Sequence, residues 1–291
     1  MKKSVKQQLS YILEFYMPIK IGIIVILIAS SVPEVKKKSI SPISLSFISI
    51  TTYVPILYIL MLYFAIKSED DLTTKKLFPK IRKITKRRKE KNINIFIMDE
   101  INQKKINSFK FCDICKRPKP PRTQHCYICG CCYIKNQRHS QFFNRCIHIR
   151  NHKQYICFVF ALFSYLGYIA ILAFFFMGKL LIFYLVLIDL LFLISSFILE
   201  IILLLRNESF TEREAIDYYL KGNVKTSDVF QSNFEHLEPG IKNRKIINPY
   251  NISPTKNFLK VFGKNPILWF LPICTSEEDG LTFEENQKHA S

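Results

Sequence analysis

Residues 112–146 read CDICKRPKPPRTQHCYICGCCYIKNQRHSQFFNRC and hold seven of the chain's nine cysteines. In order they are Cys112-x-x-Cys115, His125-Cys126-x-x-Cys129, Cys131-Cys132, His139 and Cys146. Zinc takes four soft or borderline ligands in a tetrahedron, and a CxxC turn delivers two thiolates from one loop. Nine candidate ligands within 35 residues make two such sites with one residue to spare. Aspartate and glutamate are scarce here, which disfavours an oxygen-ligated ion. Unrelated buried or free cysteines do not gather at this density.

Outward from this stretch the chain turns apolar. A membrane-spanning helix needs about 20 mostly apolar residues to cross roughly 30 Å of hydrocarbon. Tyr155 to Met177 is free of charge, and Leu180 to Leu205 is interrupted only by Asp189 and Glu200. Ile43 to Ile66 is uncharged, with a polar first half (Ser44, Ser46, Ser49, Thr51, Thr52). The shortest candidate runs from Ile21 to Val32, between Lys20 and Pro33. An apolar run of this length ending near Ala-Ser-Ser also fits the core of a cleaved signal peptide. The long preceding segment, which contains Glu14, favours a span, giving four spans in all.

The whole chain of 291 residues is 49% hydrophobic yet carries a formal net charge of +19. Grease and charge are segregated, which argues against a single water-soluble globule. About half of the 42 Lys and Arg lie between Lys67 and Tyr155. Lys75, Lys76 and Lys80 flank one end of that segment, and Arg145, Arg150 and Lys153 flank the other. The turn between the last two spans offers only Lys179, whereas Lys36 to Lys38 oppose the trend. The positive-inside bias then places the segment and both termini in the cytosol. That compartment is reducing, so cysteines there serve as metal ligands or reactive thiols more often than as disulfides. The basic run Lys86 to Lys91, with Lys104 and Lys105, raises the idea of a nucleic-acid zinc finger. The spacing lacks that class's helix-borne His pair and the spans count against it, so no nucleic-acid partner is expected. A solvated face attracted to anionic lipid is the plainer reading.

The segment Cys112 to Tyr155 resembles the cysteine-rich domain of the DHHC-type protein palmitoyltransferases. The matching frame is CxxC, then Pro-Pro-Arg-x-x-His-Cys (Pro120 to Cys126), CxxC, a further Cys, a four-residue signature, Asn144-x-Cys146 and Asn151. Two spans before this domain and two after it fit the family's topology. In the tail, Asn248-Pro-Tyr, Asn257-x-x-x-Val-Phe-Gly263 and Asn265-Pro-x-Leu-Trp-Phe-Leu-Pro272 are similar to its C-terminal motif. The resemblance implies interleaved zinc ligands: Cys112, Cys115, His125 and Cys132 for one ion, and Cys126, Cys129, His139 and Cys146 for the other. Cys131 is left over, as an alternative to Cys132. Closed sites of this kind are structural, and their binding energy, on the order of 10 kcal/mol, is folding energy for a small domain.

The signature departs from the family's Asp-His-His-Cys. It reads Gln137-Arg138-His139-Ser140, and the one match, His139, is the implied zinc ligand. In the family the Cys attacks acyl-CoA, the first His acts as base and the Asp orients it, a triad logic. Arg138, with a pKa above about 12, accepts no proton at neutral pH. Gln137 carries no charge to stabilise an imidazolium, and Ser140 without a base is a weak nucleophile. An acyl-serine is also an oxyester, lower in energy than a thioester, so onward transfer to a cysteine would run uphill. Gln141 and Phe142 replace the usual Pro-Trp. Either the zinc scaffold is kept without catalysis, or a different nucleophile serves, Cys131 being the remaining thiol in the domain. A free cysteine beside a metal is usually inert.

Weaker signals follow. In Asn207-Glu-Ser-Phe-Thr-Glu212 only Glu212 matches the family's TTxE motif, and Ser68-Glu-Asp-Asp71 stands where a DPG motif is expected. Asp189 and Glu200 lie within a span, where charges are costly and usually face the bundle interior. Glu200 can meet Ser196 one turn back, or snorkel to the interface. Thr226 to Asn243 shows no period and reads as a loop.

The expectation is a predominantly α membrane protein, with four transmembrane helices and a cytosolic zinc-binding, cysteine-rich domain between spans two and three. Its divisions are 1–67 (N-terminal segment and spans one and two), 68–154 (cytosolic basic loop and cysteine-rich domain, core 110–154), 155–205 (spans three and four) and 206–291 (cytosolic tail). The resemblance implies palmitoyl transfer from palmitoyl-CoA to protein cysteines on an endomembrane. Membrane lipid, acyl-CoA and protein substrates would be the partners. Against this stand Ser140 at the nucleophile position, Arg138 at the base position and Gln137 at the orienting position, and the alternative is an inactive, zinc-stabilised membrane scaffold or adaptor.

Overall fold

A computed structural model describes residues 42–69, 72–77, 109–172, 174, 180–220, 248–276 and 278–286. The expected first span, Lys36 to Lys38, the basic run Lys86 to Lys91 and the loop Thr226 to Asn243 lie outside the described residues.

Among the described residues, three long helices carry the apolar sequence. Helix α1 is Pro42–Ser68, α3 is His152–Leu172 and α4 is Leu180–Leu205. Stretches of each, Ser49–Ser68, His152–Leu172 and Val186–Leu205, are long and apolar enough to cross a membrane. Apolar side chains such as Leu57, Phe64, Ile188 and Leu191 are exposed on α1 and α4. A helix that is hydrophobic all round needs an apolar surround, which lipid supplies. Helix α3 packs against both others and holds the centre: Ile156, Leu162, Leu166 and Ile169 are buried there, with Leu62 and Ile66 from α1 and Val186 and Leu193 from α4. Helix α3 starts at His152, one turn ahead of Tyr155, and is described as far as Leu172.

Between α1 and α3 lie a short helix, α2 (Thr74–Leu77), and three two-stranded antiparallel hairpins. These are β1 (Lys110–Cys112) with β2 (Arg117–Lys119), β3 (Thr123–Cys126) with β4 (Cys131–Ile134), and β5 (Arg138–Ser140) with β6 (Arg145–Ile147). The third hairpin is plugged into the helices. Phe143 at its tip is 2% exposed, and its ring lies 5.5 Å from that of Tyr63 on α1 and 5.1 Å from that of Phe158 on α3. Arg145 completes the joint by donating to the carbonyls of Ile66, Lys67 (2.6 Å) and Glu69 (2.7 Å). Carbonyls at the end of a helix lack intrahelical partners, so a guanidinium there satisfies several at once.

After α4 the chain turns at Asn207 into α5 (Phe210–Leu220), then returns as α6 (Pro254–Phe262) and a 3-10 turn, Pro266–Leu268. Two tail asparagines cap α4: Asn257 Nδ2 donates to Leu205 O (2.8 Å) and Asn248 Nδ2 to Arg206 O (2.8 Å). The tail motif therefore ends the span and holds α6 against it.

Candidate functional site

The two CxxC turns have the same local build. Cys115 N–H points to Cys112 Sγ (3.4 Å) and Lys116 N–H to Cys112 O (2.8 Å). Cys129 N–H points to Cys126 Sγ (3.4 Å) and Gly130 N–H to Cys126 O (2.9 Å). Each turn closes on a left-handed residue, Lys116 with φ 50° and Gly130 with φ 66°. Backbone N–H groups aimed at sulphur favour the thiolate that a metal binds.

Strand alternation sorts the remaining ligands. Consecutive residues on a strand face opposite ways, so His125 and Cys126 on β3 point to different sites. Cys132 is the cross-strand partner of His125, and Cys131 that of Cys126. The first cluster is Cys112, Cys115, His125 and Cys132; the second is Cys126, Cys129, His139 and Cys146, with ligand atoms in each within 4.8 Å of one another. Cys131 stands outside both and directs its Sγ to Cys129 O at 3.1 Å.

The donor sets fit a zinc ion. Tetrahedral zinc with Zn–S of about 2.3 Å and Zn–N of about 2.0 Å spaces its sulphurs about 3.8 Å apart, and sulphur from nitrogen about 3.5 Å. In the first cluster His125 Nδ1 lies 3.6, 3.2 and 3.6 Å from the sulphurs of Cys112, Cys115 and Cys132, and Cys115 and Cys132 are 3.6 Å apart. In the second, His139 Nδ1 lies 3.7, 3.2 and 3.8 Å from Cys126, Cys129 and Cys146, and Cys129 and Cys146 are 3.7 Å apart. Crowded sulphur also sets the protonation. Hydrogen bonding with Cys146 brings the Cys126 thiol down to about 5, and the same contact with burial pushes Cys146 far up. One thiolate is favoured at its neighbours' expense, a conflict that a dication removes.

The four residues from Gln137 form a bridge between the hairpins and the helices. Gln137 Oε1 accepts from Phe210 N–H (2.9 Å) at the start of α5, and Asn136 O accepts from Thr211 Oγ1 (2.6 Å). Arg138 donates from Nη2 to Tyr155 Oη (2.6 Å) and to Glu200 on α4, and its guanidinium lies 5.3 Å and 5.2 Å from the ring centres of Tyr155 and Phe210. His152 Nε2 approaches the other oxygen of Glu200 at 3.5 Å. His139 turns into the second cluster, and Ser140 is 1% exposed, its Oγ accepting from Phe143 N–H at 3.5 Å. Glu200 therefore neither snorkels nor rests on Ser196. It is buried against Arg138 and His152, because a carboxylate within a span needs a cation more than it needs water. Asp189 is buried on the same helix.

A second buried ion pair locks the hairpins to α5. Arg122 donates Nε and Nη2 to the two oxygens of Glu212, both at 2.7 Å, and reaches Asn207 Oδ1 (3.1 Å) and O (2.7 Å). Tyr250 and Phe283 of the tail flank the guanidinium at 4.7 Å and 5.3 Å. Burial pushes the Glu212 carboxyl up, but Arg122 and the Ser209 N–H together bring it below the ordinary carboxylate range. Ser209 and Glu212 also form a reciprocal cap on α5: Glu212 N–H donates to Ser209 Oγ (3.2 Å) and Ser209 N–H to Glu212 Oε2 (2.7 Å). This is the Ser-x-x-Glu capping box, legible at Ser209 to Glu212. Tyr250 is flagged by the Asn248-Pro-Tyr motif, whereas His152 and Phe283 carry no such local signal.

Residues 105–218 match the family model described as DHHC palmitoyltransferase. Palmitoyltransferase ZDHHC15 of Xenopus laevis is 28% identical over 187 residues, 60% of this chain and 49% of that protein. Probable protein S-acyltransferase 12 of Arabidopsis thaliana is 27% identical over 196 residues, 62% of this chain and 60% of that protein. Palmitoyltransferase ZDHHC13 of Homo sapiens reaches 36% identity over 80 residues, 28% of this chain and 12% of that protein. The chain spans about half the length of the first curated relatives it matches. The matched residues enclose both Cys/His clusters, the Gln137-to-Ser140 bridge and the Arg122–Glu212 pair, and they identify residues 105–218 as a DHHC palmitoyltransferase domain.

Proposed function

We propose that this protein is a multi-pass membrane member of the protein S-acyltransferases, whose family reaction is palmitoyl transfer from palmitoyl-CoA to protein cysteines, and that it does not run the family's triad chemistry at positions 137–140. It is a zinc-stabilised scaffold that engages acyl-CoA and protein partners at the membrane. Cys112, Cys115, His125 and Cys132 hold one structural zinc, and Cys126, Cys129, His139 and Cys146 the other. Four spans, including Ile21 to Val32, place the cysteine-rich domain between spans two and three with the termini on the cytosolic face of an endomembrane. Residues 1–67, 68–154, 155–205 and 206–291 are its successive parts.

The observation that carries this reading is the engagement of Arg138. At the base position stands a guanidinium bound to a buried carboxylate and to Tyr155. It has no lone pair to take a proton from Ser140, and freeing it would strand Glu200 uncompensated. Gln137 is equally committed, its Oε1 capping α5 through Phe210 N–H. Active transfer through another thiol is the second reading, favoured by Cys131 being half-buried and outside both clusters.

Incubation of the purified full chain with radiolabelled palmitoyl-CoA, followed by neutral hydroxylamine, separates these readings. The scaffold reading predicts no covalent label. Hydroxylamine-labile label lost on Cys131→Ala would establish transfer through that thiol. Hydroxylamine-resistant label lost on Ser140→Ala would establish an oxyester and overturn the proposal.

A further inference from the structure

A cavity of about 510 Å³ opens where the last turn of α4 meets the returning tail. Its volume lies within the usual range for small-molecule sites. Ile202, Leu205 and Ile252 give it an apolar side, and Arg206, Asn251 and Asn286 a polar one. Among the described residues the lining contains one cation and no acid.

The apolar side belongs to the end of a membrane-crossing segment, Val186–Leu205, and Ile202 is 41% exposed there. The polar side begins with the next residue, Arg206. This places a change from apolar to cationic lining at the depth where hydrocarbon gives way to headgroups. The guanidinium of Arg206 is exposed and makes no ion pair among the described residues. The nearest acid in sequence, Glu208, pairs with Arg213 at 3.8 Å and feels the Arg206 charge only as the weaker of the two.

The wall is built in advance of any ligand. Asn286 Nδ2 donates to Asn251 O (2.8 Å), and Asn286 N–H to Pro249 O (2.7 Å). Asn251 Oδ1 accepts from Asn257 Nδ2 at 2.7 Å, which fixes the orientation of the Asn251 amide and leaves its NH2 as a donor. A helix C-terminus would repel an anion, but here the carbonyls of Leu205, Arg206 and Asn207 are already satisfied by Asn257 and Asn248. The negative end of α4 is thereby covered, and the amphipathic cavity keeps two donors with no carboxylate among the described residues that line it.

We propose that this cavity binds the phosphate of an anionic glycerophospholipid, with Arg206 and Asn251 on the phosphate and the acyl chains along Ile202. The site is separate from positions 137–140 and holds whether or not acyl transfer occurs.

The test is titration of the full-length, zinc-loaded protein in detergent with dioleoylphosphatidic acid, read by native mass spectrometry, with dioleoylphosphatidylcholine as the neutral-headgroup comparison. Saturable binding of one phosphatidic acid is expected, weakened about tenfold by Arg206→Gln, as for loss of a charge-assisted hydrogen bond. Asn251→Asp keeps the acceptor for Asn257 but replaces the donor by a carboxylate oxygen, and is expected to weaken binding at least as much. Arg213→Gln, whose charge lies on α5, leaves binding unchanged. Equal binding by Arg206→Gln and wild type, or equal binding of phosphatidylcholine, would overturn the proposal. Displacement of phosphatidic acid by equimolar inorganic phosphate or coenzyme A would overturn it in favour of a free-phosphate or acyl-donor site.

Discussion

Arg138 on the third hairpin donates to Glu200 on α4, an ion pair between residues 62 apart in sequence that joins the cysteine-rich region to a membrane-crossing helix. Glu200 is 1% exposed and also faces His152. A buried carboxylate of this kind persists only when a cation stays with it. The same contact explains how an arginine is accommodated beside a histidine of the second Cys/His cluster: it neutralises Glu200 and packs on Tyr155 and Phe210.

Breaking that pair from either side should be costly. Arg138→Gln or Glu200→Gln is expected to lower stability by about 3 kcal/mol, since each strands a mostly buried charge. The double variant Arg138→Met/Glu200→Leu should recover most of the loss, as replacement of a buried pair by apolar residues often does. Thermal unfolding of the four proteins in one detergent checks this; additive losses in the double variant would show that the residues do not act as a pair.

Arg122 and Glu212 give a pH-dependent version of the same experiment. Arg122 has a side chain 0% exposed, and Glu212→Gln is expected to cost about 3–5 kcal/mol at neutral pH. The native carboxyl titrates below its ordinary value of 4.5, so its contribution is fully present above that pH and disappears as pH falls through the native value. The gap in stability between wild type and Glu212→Gln should therefore be constant at and above pH 6 and close on acidification. A gap that widens with acid would contradict the assignment.

The metal assignment predicts about two zinc ions per chain by elemental analysis. Cys132→Ala should lose one, because Cys132 shares a face with His125, whereas Cys131→Ala should lose none. A chelator that strips both ions should unfold the hairpins, since three two-stranded ribbons have little core of their own. Retention of both ions by Cys132→Ala together with loss by Cys131→Ala would reverse the two roles.

Much of this was legible because it is local. CxxC spacing announces a ligand pair within one turn, and the adjacency of His125 and Cys126 implies two sites once strand alternation is applied. Of the four apolar runs, the three within the described residues form helices long and apolar enough to cross a membrane, with α1 and α4 ending within two residues of their expected bounds. The illegible part is long-range. Glu200 reads as an interfacial residue until the bundle rotates it toward Arg138 and His152. The enclosure of Arg122 by Asn207, Tyr250 and Phe283 draws on segments far apart in the chain, none of which has a periodic or motif signal for that contact. That Arg138 and Ser140 stand at positions 138 and 140 is plain in the sequence, but the contacts of the arginine are not.

The most direct test of the central claim is a gain-of-function measurement on Ser140→Cys, shown first to retain two zinc ions and a wild-type melting profile. The protein is incubated with labelled palmitoyl-CoA and a cysteine-containing acceptor peptide, and hydroxylamine-labile label on the peptide is counted. With Arg138 held by Glu200, restoring the thiol alone leaves the site without a base, and the predicted transfer is indistinguishable from that of the wild-type chain. Robust transfer by Ser140→Cys alone would contradict the account, because it would show that position 140 lacked only a nucleophile.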